Sequence, residues 1–196
     1  HTWLPDAMAG PTPVSSLLHS STMVVAGVFL VARLYPVFHT GLDINVAGQN
    51  YNFIAVIGGI AIVIAAALAF VQNDIKKVLA YSTVSQLGYM MMGLGVGAWV
   101  PAVFHICTHA FFKCCLFLCA GSVSHSGSHH SFDMKKDMGG LAKKMPITAT
   151  CWIVMAFALA GIFPFAGFFS KDEIIDNVGH NGYVVFMVVA LGGAFI

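Results

Sequence analysis

Long apolar runs, separated by short stretches of charged residues or glycine, account for most of the chain. A helix that spans a membrane needs about 20 mainly apolar residues. The run after residue 77 is too long for one helix, and its glycines and Pro101 favour a turn near residues 97–100. The pattern predicts six spans: residues 13–32, 44–73, 78–97 and 101–124, a fifth that begins near Pro146 and a sixth that begins near Gly182.

The composition narrows the class of protein further. Hydrophobic residues make up 58% of the chain and charged residues 9%, and the mean hydropathy is +0.84. A soluble domain carries about 25% charged residues, so this composition excludes a soluble globule, a disordered tail and a nucleic-acid-binding protein. We expect an all-α, polytopic transmembrane helix bundle in which residues 1–196 form a single membrane domain.

The lysines in the predicted loops indicate an orientation. Six spans place the loop around Asp74 and the loop of residues 125–145 on the same side of the membrane. The opposite side has Arg33 and at most Lys171. Because short cytoplasmic loops carry an excess of Lys and Arg, the sequence predicts that the lysine-rich side is cytoplasmic. Its lysines are Lys76, Lys77, Lys135, Lys136, Lys143 and Lys144.

Lys113 stands near the middle of the fourth predicted span, where a lysine costs about 2.5–3.5 kcal/mol on insertion scales. It should therefore face the bundle interior. His105, His109 and Lys113 are spaced i, i+4, i+8, so they form a column about 12 Å long on one face of a helix. Histidine titrates near neutral pH, and loss of water disfavours charged lysine. The column predicts a proton path; the alternative is a packing face with satisfied polar groups.

Two further predicted helices carry polar stripes. His19 shares a face of the first span with serine and threonine. On the third span, Ser82, Ser85 and Gln86 lie on one face and are expected to line water. Hydrogen bonds between helices explain the third-span stripe equally well.

The fifth predicted span is interrupted by Gly161, Pro164 and Gly167. Such breaks occur in transporters, where the freed backbone groups line a cavity. If the helix resumes after the break, Lys171 and Asp172 lie inside the membrane. If it does not resume, they belong to an ordinary charged loop.

Two other motifs give no cofactor site. The glycine-rich residues 93–98 lack the strand and helix of a nucleotide-binding fold, so we expect close helix packing or a loosened helix end there. His125, His129 and His130 form a histidine-rich loop, but a metal site is not expected. No flavin, iron–sulfur or nicotinamide signature occurs, so we expect no cofactor in this chain.

Four stretches resemble one family of membrane proteins. They are HTWLPDAMAGPTPVSSLLHSSTMVVAGVFLVAR at residues 1–33, DIKKVLAYSTVSQLGYM at 74–90, FHICTHAFFKCCLFLCAGS at 104–122 and GIFPFAGFFSKDEI at 161–174. Together they resemble the antiporter-like L subunit of respiratory complex I, the bacterial NADH:quinone oxidoreductase, whose animal counterpart is the fifth mitochondrially encoded subunit. The combination of DAMAGPTPVS and FSKDEI separates this family from its sister subunits and from the large subunit of multisubunit cation/proton antiporters.

The resemblance implies a fold of two inverted five-helix repeats with broken helices, of which this chain covers most of the second. The chain starts with His1 and ends inside an apolar run, so we expect an internal fragment whose upstream and downstream parts are missing. The resemblance also implies roles along a proton channel. Lys113 matches the central lysine, His105 and His109 the histidines beside it, His19 a histidine that links two half-channels, and Lys171 with Asp172 the lysine and acid at the periplasmic exit.

The implied activity is proton translocation by complex I, driven by quinone reduction elsewhere. FMN, the iron–sulfur clusters and quinone are then expected in partner subunits, with a neighbouring antiporter-like subunit and lipids as contacts. The implied location is the bacterial plasma membrane, or alternatively the mitochondrial inner membrane. The alternatives are a Na+/H+ antiporter subunit, a structural membrane spacer, and a photosynthetic relative that uses ferredoxin.

Overall fold

The computed structural model describes residues 3–46, 49–128 and 130–194. Helices dominate this part of the chain, and one short β-hairpin accompanies them. The elements are α1 (Trp3–Asp6), α2 (Thr12–Ser20), α3 (Val25–Arg33), α4 (Tyr35–Gly41), β1 (Asp43–Val46), β2 (Gln49–Asn52), α5 (Phe53–Val71), α6 (Ile75–Val96), α7 (Trp99–Ser126), α8 (Leu141–Lys144), α9 (Pro146–Ala160), α10 (Ala166–His180) and α11 (Val184–Ala194). A 3-10 turn, Ala7–Ala9, lies between α1 and α2.

The predicted helix bundle is confirmed. In the described part, three helical stretches are long and apolar enough to cross a membrane: Thr12–Arg33, Phe53–Val71 and Trp99–Ser126. Helix α6 has 22 residues and a polar stripe, and α9 and α11 are shorter apolar helices. The predicted turn between the third and fourth spans is also correct, because Gly97 ends α6 with a φ of 107°.

Two predicted spans differ in detail. The first is not one continuous helix, because α2 ends at Ser20 and α3 begins at Val25. The Thr22 hydroxyl donates to the Leu17 carbonyl at 2.9 Å, a local bond of the kind that competes with helical geometry. The second span begins at Phe53 rather than at residue 44, since Asn52 caps α5 by accepting from the Ile54 amide at 3.0 Å, and strands β1 and β2 pair antiparallel before it.

The predicted break in the fifth span is present. Helix α9 ends at Gly161, whose φ is 78°, and the Phe163–Pro164 peptide is cis. Helix α10 then begins at Ala166 and continues to His180, so the helix resumes as the broken-helix prediction requires.

Helices α5 and α6 pack backbone against backbone. An added Cβ at Gly88 would lie 2.8 Å from the Gly58 carbonyl oxygen, and Gly95 has no room for one against the Ala55 backbone. The close packing expected for residues 93–98 is therefore confirmed at Gly95. At one end of the bundle the two lysine-bearing loops also meet, where the Ile75 amide donates to the Phe132 carbonyl at 3.0 Å.

Candidate functional site

The predicted column lies on the inner face of α7, which packs against α2, α6, α9 and α10. His105, His109 and Lys113 are each 0% exposed. The rings of His105 and His109 have centroids 6.4 Å apart. The i, i+4, i+8 spacing therefore produces a continuous row of buried ionisable groups.

Lys113 is held by α6. Its Nζ donates to the Leu79 carbonyl at 3.2 Å and to the Ser82 hydroxyl. Both acceptors are neutral, and no carboxylate of the described residues bonds to this lysine. The polar stripe of α6 is thus the wall that faces Lys113.

His105 connects three helices. Its Nε2 lies 3.1 Å from the Gln86 Oε1 on α6, and its Nδ1 lies 2.8 Å from the Ser170 hydroxyl on α10. The Thr108 hydroxyl lies 3.1 Å from the same Ser170 hydroxyl. An amide oxygen only accepts, so Nε2 of the neutral ring carries the hydrogen and Nδ1 accepts from Ser170.

His109 uses the break in the first span. Its Nδ1 lies 3.0 Å from the Ser20 carbonyl, which is free because α2 ends there. A carbonyl only accepts, so Nδ1 of the neutral ring carries the hydrogen and Nε2 is left as an acceptor without a partner in the described residues. His105 and His109 therefore adopt opposite tautomers.

Lys171 uses the break in the fifth span in the same way. Its Nζ donates to the Leu159 carbonyl, in the last turn of α9. The same Nζ lies 5.1 Å from the centre of the Tyr89 ring. Lys171 is 2% exposed, so its side chain lies in the interior of the bundle, while its position relative to the membrane stays a prediction.

His19 and Asp172 lie outside this row. His19 is buried at the end of α2, and its ring stacks on Phe117 at 5.6 Å. Neither of its ring nitrogens has a partner in the described residues. Asp172 is exposed and lines a surface groove with Asp176 and His180.

The structure brings two hydroxyls into the site that sequence analysis missed, Ser170 and Thr108. Ser170 immediately precedes Lys171, and Thr108 follows His105 by one helical turn. Ser170 and Thr108 could be recognised as site residues from the sequence only if α7 and α10 were known to pack together. Ser82 and Gln86, which were predicted, contact the row directly, whereas Ser85 is buried with an unpartnered hydroxyl.

The arrangement suits proton transfer. Native proteins satisfy nearly all buried polar atoms, and where no side chain serves, ordered water does. The unpartnered atoms of His19, Ser85 and His109 therefore mark places for water beside the row.

Of the histidine loop, His129 lies outside the described residues, and the rings of His125 and His130 have centroids 5.0 Å apart.

Comparison with known proteins shows which family this chain belongs to. The family described as NADH:quinone oxidoreductase/Mrp antiporter, TM, matches residues 1–196. The chain is 55% identical over 181 residues to NAD(P)H-quinone oxidoreductase chain 5 of Synechocystis sp., with 89% of the chain and 26% of that protein covered. It is 48% identical to NADH-quinone oxidoreductase subunit L of Escherichia coli, with 100% of the chain and 31% of that protein covered.

Two solved structures share the fold of this chain. The Mrp complex from Dietzia sp. matches with a TM-score of 0.84 and 32% identity, over 98% of this chain and 22% of that one. An archaeal membrane-bound sulfane sulfur reductase matches with a TM-score of 0.85 and 26% identity, over 99% and 39%. The chain spans 26–31% of the length of the two curated relatives described above. It belongs to the NADH:quinone oxidoreductase/Mrp antiporter transmembrane family.

Proposed function

We propose that this chain is the second-repeat part of a proton-translocating membrane subunit of NADH:quinone oxidoreductase. In this proposal, quinone reduction elsewhere in the complex drives the protons, and the chain contributes no redox site. Lys113 stores and relays a proton, His109 and His105 pass it along, and Lys171 with Asp172 releases it. His19 links the row to the upstream part of the subunit.

One observation supports this proposal most strongly. The buried row begins at Lys113, and through His105 and Ser170 it reaches α10, which carries Lys171. Lys113 and Lys171 each donate to a neutral oxygen, so no fixed carboxylate holds the proton on either lysine. A row built only for packing would not need two lysines at a cost of several kcal/mol each in the membrane.

The test replaces Lys113 in the full-length parent subunit, within its assembled complex in inverted membrane vesicles. NADH:quinone turnover and vesicle acidification are measured with and without sodium. For Lys113→Ala we expect both rates to fall about tenfold or more, because a proton-transfer group is lost. Lys143→Ala, at an exposed loop lysine, is the matched control and should behave as wild type.

Two outcomes contradict the proposal. If Lys113→Ala and the isosteric Lys113→Met both pump at the control rate, the row serves only to pack helices, and the chain is a structural spacer. If acidification requires sodium and continues when quinone turnover is blocked, the chain is part of an antiporter.

The antiporter alternative is supported by one specific observation, the 0.84 TM-score to the Mrp complex. The 55% and 48% identities to quinone oxidoreductase subunits exceed the 32% identity to that complex. We propose in addition that the chain lies in a bacterial plasma membrane beside another antiporter-like subunit. Its lysine-rich loops, around Lys76 and Lys77 and over residues 135–144, face the cytoplasm.

A further inference from the structure

A large groove lies at the lysine-rich end of the bundle, apart from the proton row. Its volume is about 640 Å³. One wall is the start of α2 and the other is the last two turns of α7, with His130 and Phe132 from the following loop. His125 and His130 line the groove, and their rings are nearly perpendicular, with centroids 5.0 Å apart.

The length of α7 sets the depth of this groove. Its 28 residues extend about 42 Å, whereas the hydrocarbon core of a bilayer is about 30 Å thick. If α7 is centred in the membrane, it extends about 6 Å beyond the hydrocarbon core at each end, so its last turn reaches the level of the lipid headgroups and Leu118 stays in the acyl region. A ligand in the groove meets both the headgroup region and the acyl region.

The groove is amphipathic along the same direction. Near the end of α7 its lining carries the imidazole of His125 and the hydroxyls of Ser124 and Ser126, which can donate hydrogen bonds. Leu118 lies about two turns earlier on α7 and gives the groove an apolar part nearer the membrane centre. Below it the apolar surface continues toward the membrane centre over exposed side chains, Val14, Leu17 and Leu118.

The charge of this end favours an anion. Its loops carry six lysines against four aspartates, which are Asp6, Asp74, Asp133 and Asp137. Asp74 and Asp133 accept from backbone amides, so part of their negative charge is directed at the backbone. Lys76 lies directly behind the groove, with its Nζ 4.0 Å above the centre of the Phe132 ring.

We propose that this groove binds the phosphate headgroup of an anionic phospholipid. The imidazoles and hydroxyls contact the phosphate oxygens, and one acyl chain lies along Leu118 and Leu17. Basic pockets between helices on the cytoplasmic side of membrane proteins bind acidic headgroups in this way. The recognised feature is a phosphate without a cation in the same headgroup, which distinguishes an anionic lipid from phosphatidylcholine, and the acyl contact distinguishes a lipid from a free phosphate ion.

The test uses the complete parent complex, reconstituted in phosphatidylcholine vesicles that contain a phosphatidylglycerol probe with a photoactivatable diazirine on its headgroup. Cross-linked peptides are identified by mass spectrometry. We expect labelling within residues 118–132, and competition by unlabelled phosphatidylglycerol. The double variant His125→Ala/His130→Ala should lower that labelling about fivefold or more, which is the scale expected when two hydrogen bonds to the phosphate are lost.

Three comparisons make the result decisive. His125→Lys/His130→Lys, which keeps a hydrogen-bond donor at both positions, should retain the labelling, and His180→Ala, an exposed histidine on α10, should leave it unchanged. Equal labelling by a phosphatidylcholine probe, or no loss in the double alanine variant, overturns the proposal. Displacement of the probe by inorganic phosphate also overturns it, because the groove would then be a site for a free anion. NADH:quinone turnover plays no part in this readout.

Discussion

Backbone carbonyls, rather than carboxylates, hold three of the buried ionisable side chains in the described residues. Lys113 and Lys171 bond to the Leu79 and Leu159 carbonyls, and His109 bonds to the Ser20 carbonyl. Two of these oxygens belong to last turns of interrupted helices, which leave carbonyls without intrahelical donors. The interruptions therefore supply the polar partners that buried lysine and histidine require.

The opposite tautomers of the two histidines constrain how a proton moves. A proton that arrives at one ring nitrogen leaves from the other, so a passage through His105 inverts the hydrogen-bond direction at Ser170. His109 is held by the Ser20 carbonyl. The Ser170 hydroxyl can turn from donor to acceptor, whereas a carbonyl cannot. Ser170 is consequently the adaptable member of the row.

We expect Ser170→Ala to slow proton transfer while the complex still assembles. One lost hydrogen bond is worth about 0.5–1.5 kcal/mol, so acidification in parent vesicles should fall about two- to tenfold. Ser122→Ala removes an exposed serine hydroxyl from α7 outside the row and should leave the rate unchanged. An unchanged rate in Ser170→Ala would remove this serine from the proton path.

At the residue scale, the sequence predicted the column on α7 because helical periodicity fixes which side chains share a face. It also predicted Ser82 and Gln86, which lie on one stripe of α6. It could not predict Ser170 or Thr108 as partners, since their meeting depends on the angle at which α10 leaves the break. The placement of Asp172 on the exposed side of α10 depends on the same angle.

Among the helices, α5 and α6 form the tightest pair. Gly88 and Gly58 allow the two backbones to touch, and a side chain at either position would force them apart. Overpacking of a well-packed core costs about 1–3 kcal/mol. This pair is therefore the part of the bundle least able to change its separation.

A substitution can measure that constraint. Gly88→Val should lower the amount of assembled parent complex in membranes and reduce its thermal midpoint. Gly139→Ala is the control, because an added Cβ there meets nothing within 4 Å. If both variants assemble equally and melt together, the close contact carries no stability.

The start of α6 offers a second test at this scale. The Asp74 side chain accepts from the Lys76 amide at 2.8 Å and caps the helix. Loss of such a cap costs about 0.5–2 kcal/mol, so Asp74→Ala should accelerate hydrogen exchange at the first amides of α6 by about 2- to 30-fold. Asp137→Ala, in an exposed part of the loop, should not. Equal protection in both variants would show that packing alone holds this end.

Sequence patterns predicted element ends well where a strong signal occurs, and poorly elsewhere. Gly97 and Gly161 adopt positive φ at the predicted turn and break. The hairpin before α5 was missed because residues 44–73 carry no charge and match the pattern of one span, although uncharged polar residues, Asn52 as a cap among them, precede the helix. The interruption after Ser20 was missed because no glycine or proline marks it.

For the whole molecule, the number of spans followed from bilayer thickness, which requires runs of about 20 residues. The same arithmetic placed two lysine-rich loops on one side. In the structure the backbones of these loops meet in an antiparallel β-bridge between Asp74 and Asp133. Which face of the membrane they occupy is a separate prediction. It depends on charge asymmetry rather than on any contact within the bundle.

Side-specific labelling tests that orientation. In a parent subunit without native cysteines, Lys143→Cys should react with an impermeant maleimide in inverted vesicles and remain unreactive in intact cells. His180→Cys, at the far end of α10, should show the reverse pattern. The opposite result for both positions would invert the proposed orientation.

The glycine contact between α5 and α6 also determines how the protein responds to its membrane. Helix α5, with 19 residues, is about 29 Å long and matches the hydrocarbon thickness of a typical bilayer. Because the two backbones already touch, the pair cannot relieve hydrophobic mismatch by sliding apart or repacking. In a thicker or thinner bilayer the surrounding lipid must stretch or compress, or the two helices must tilt together as one body.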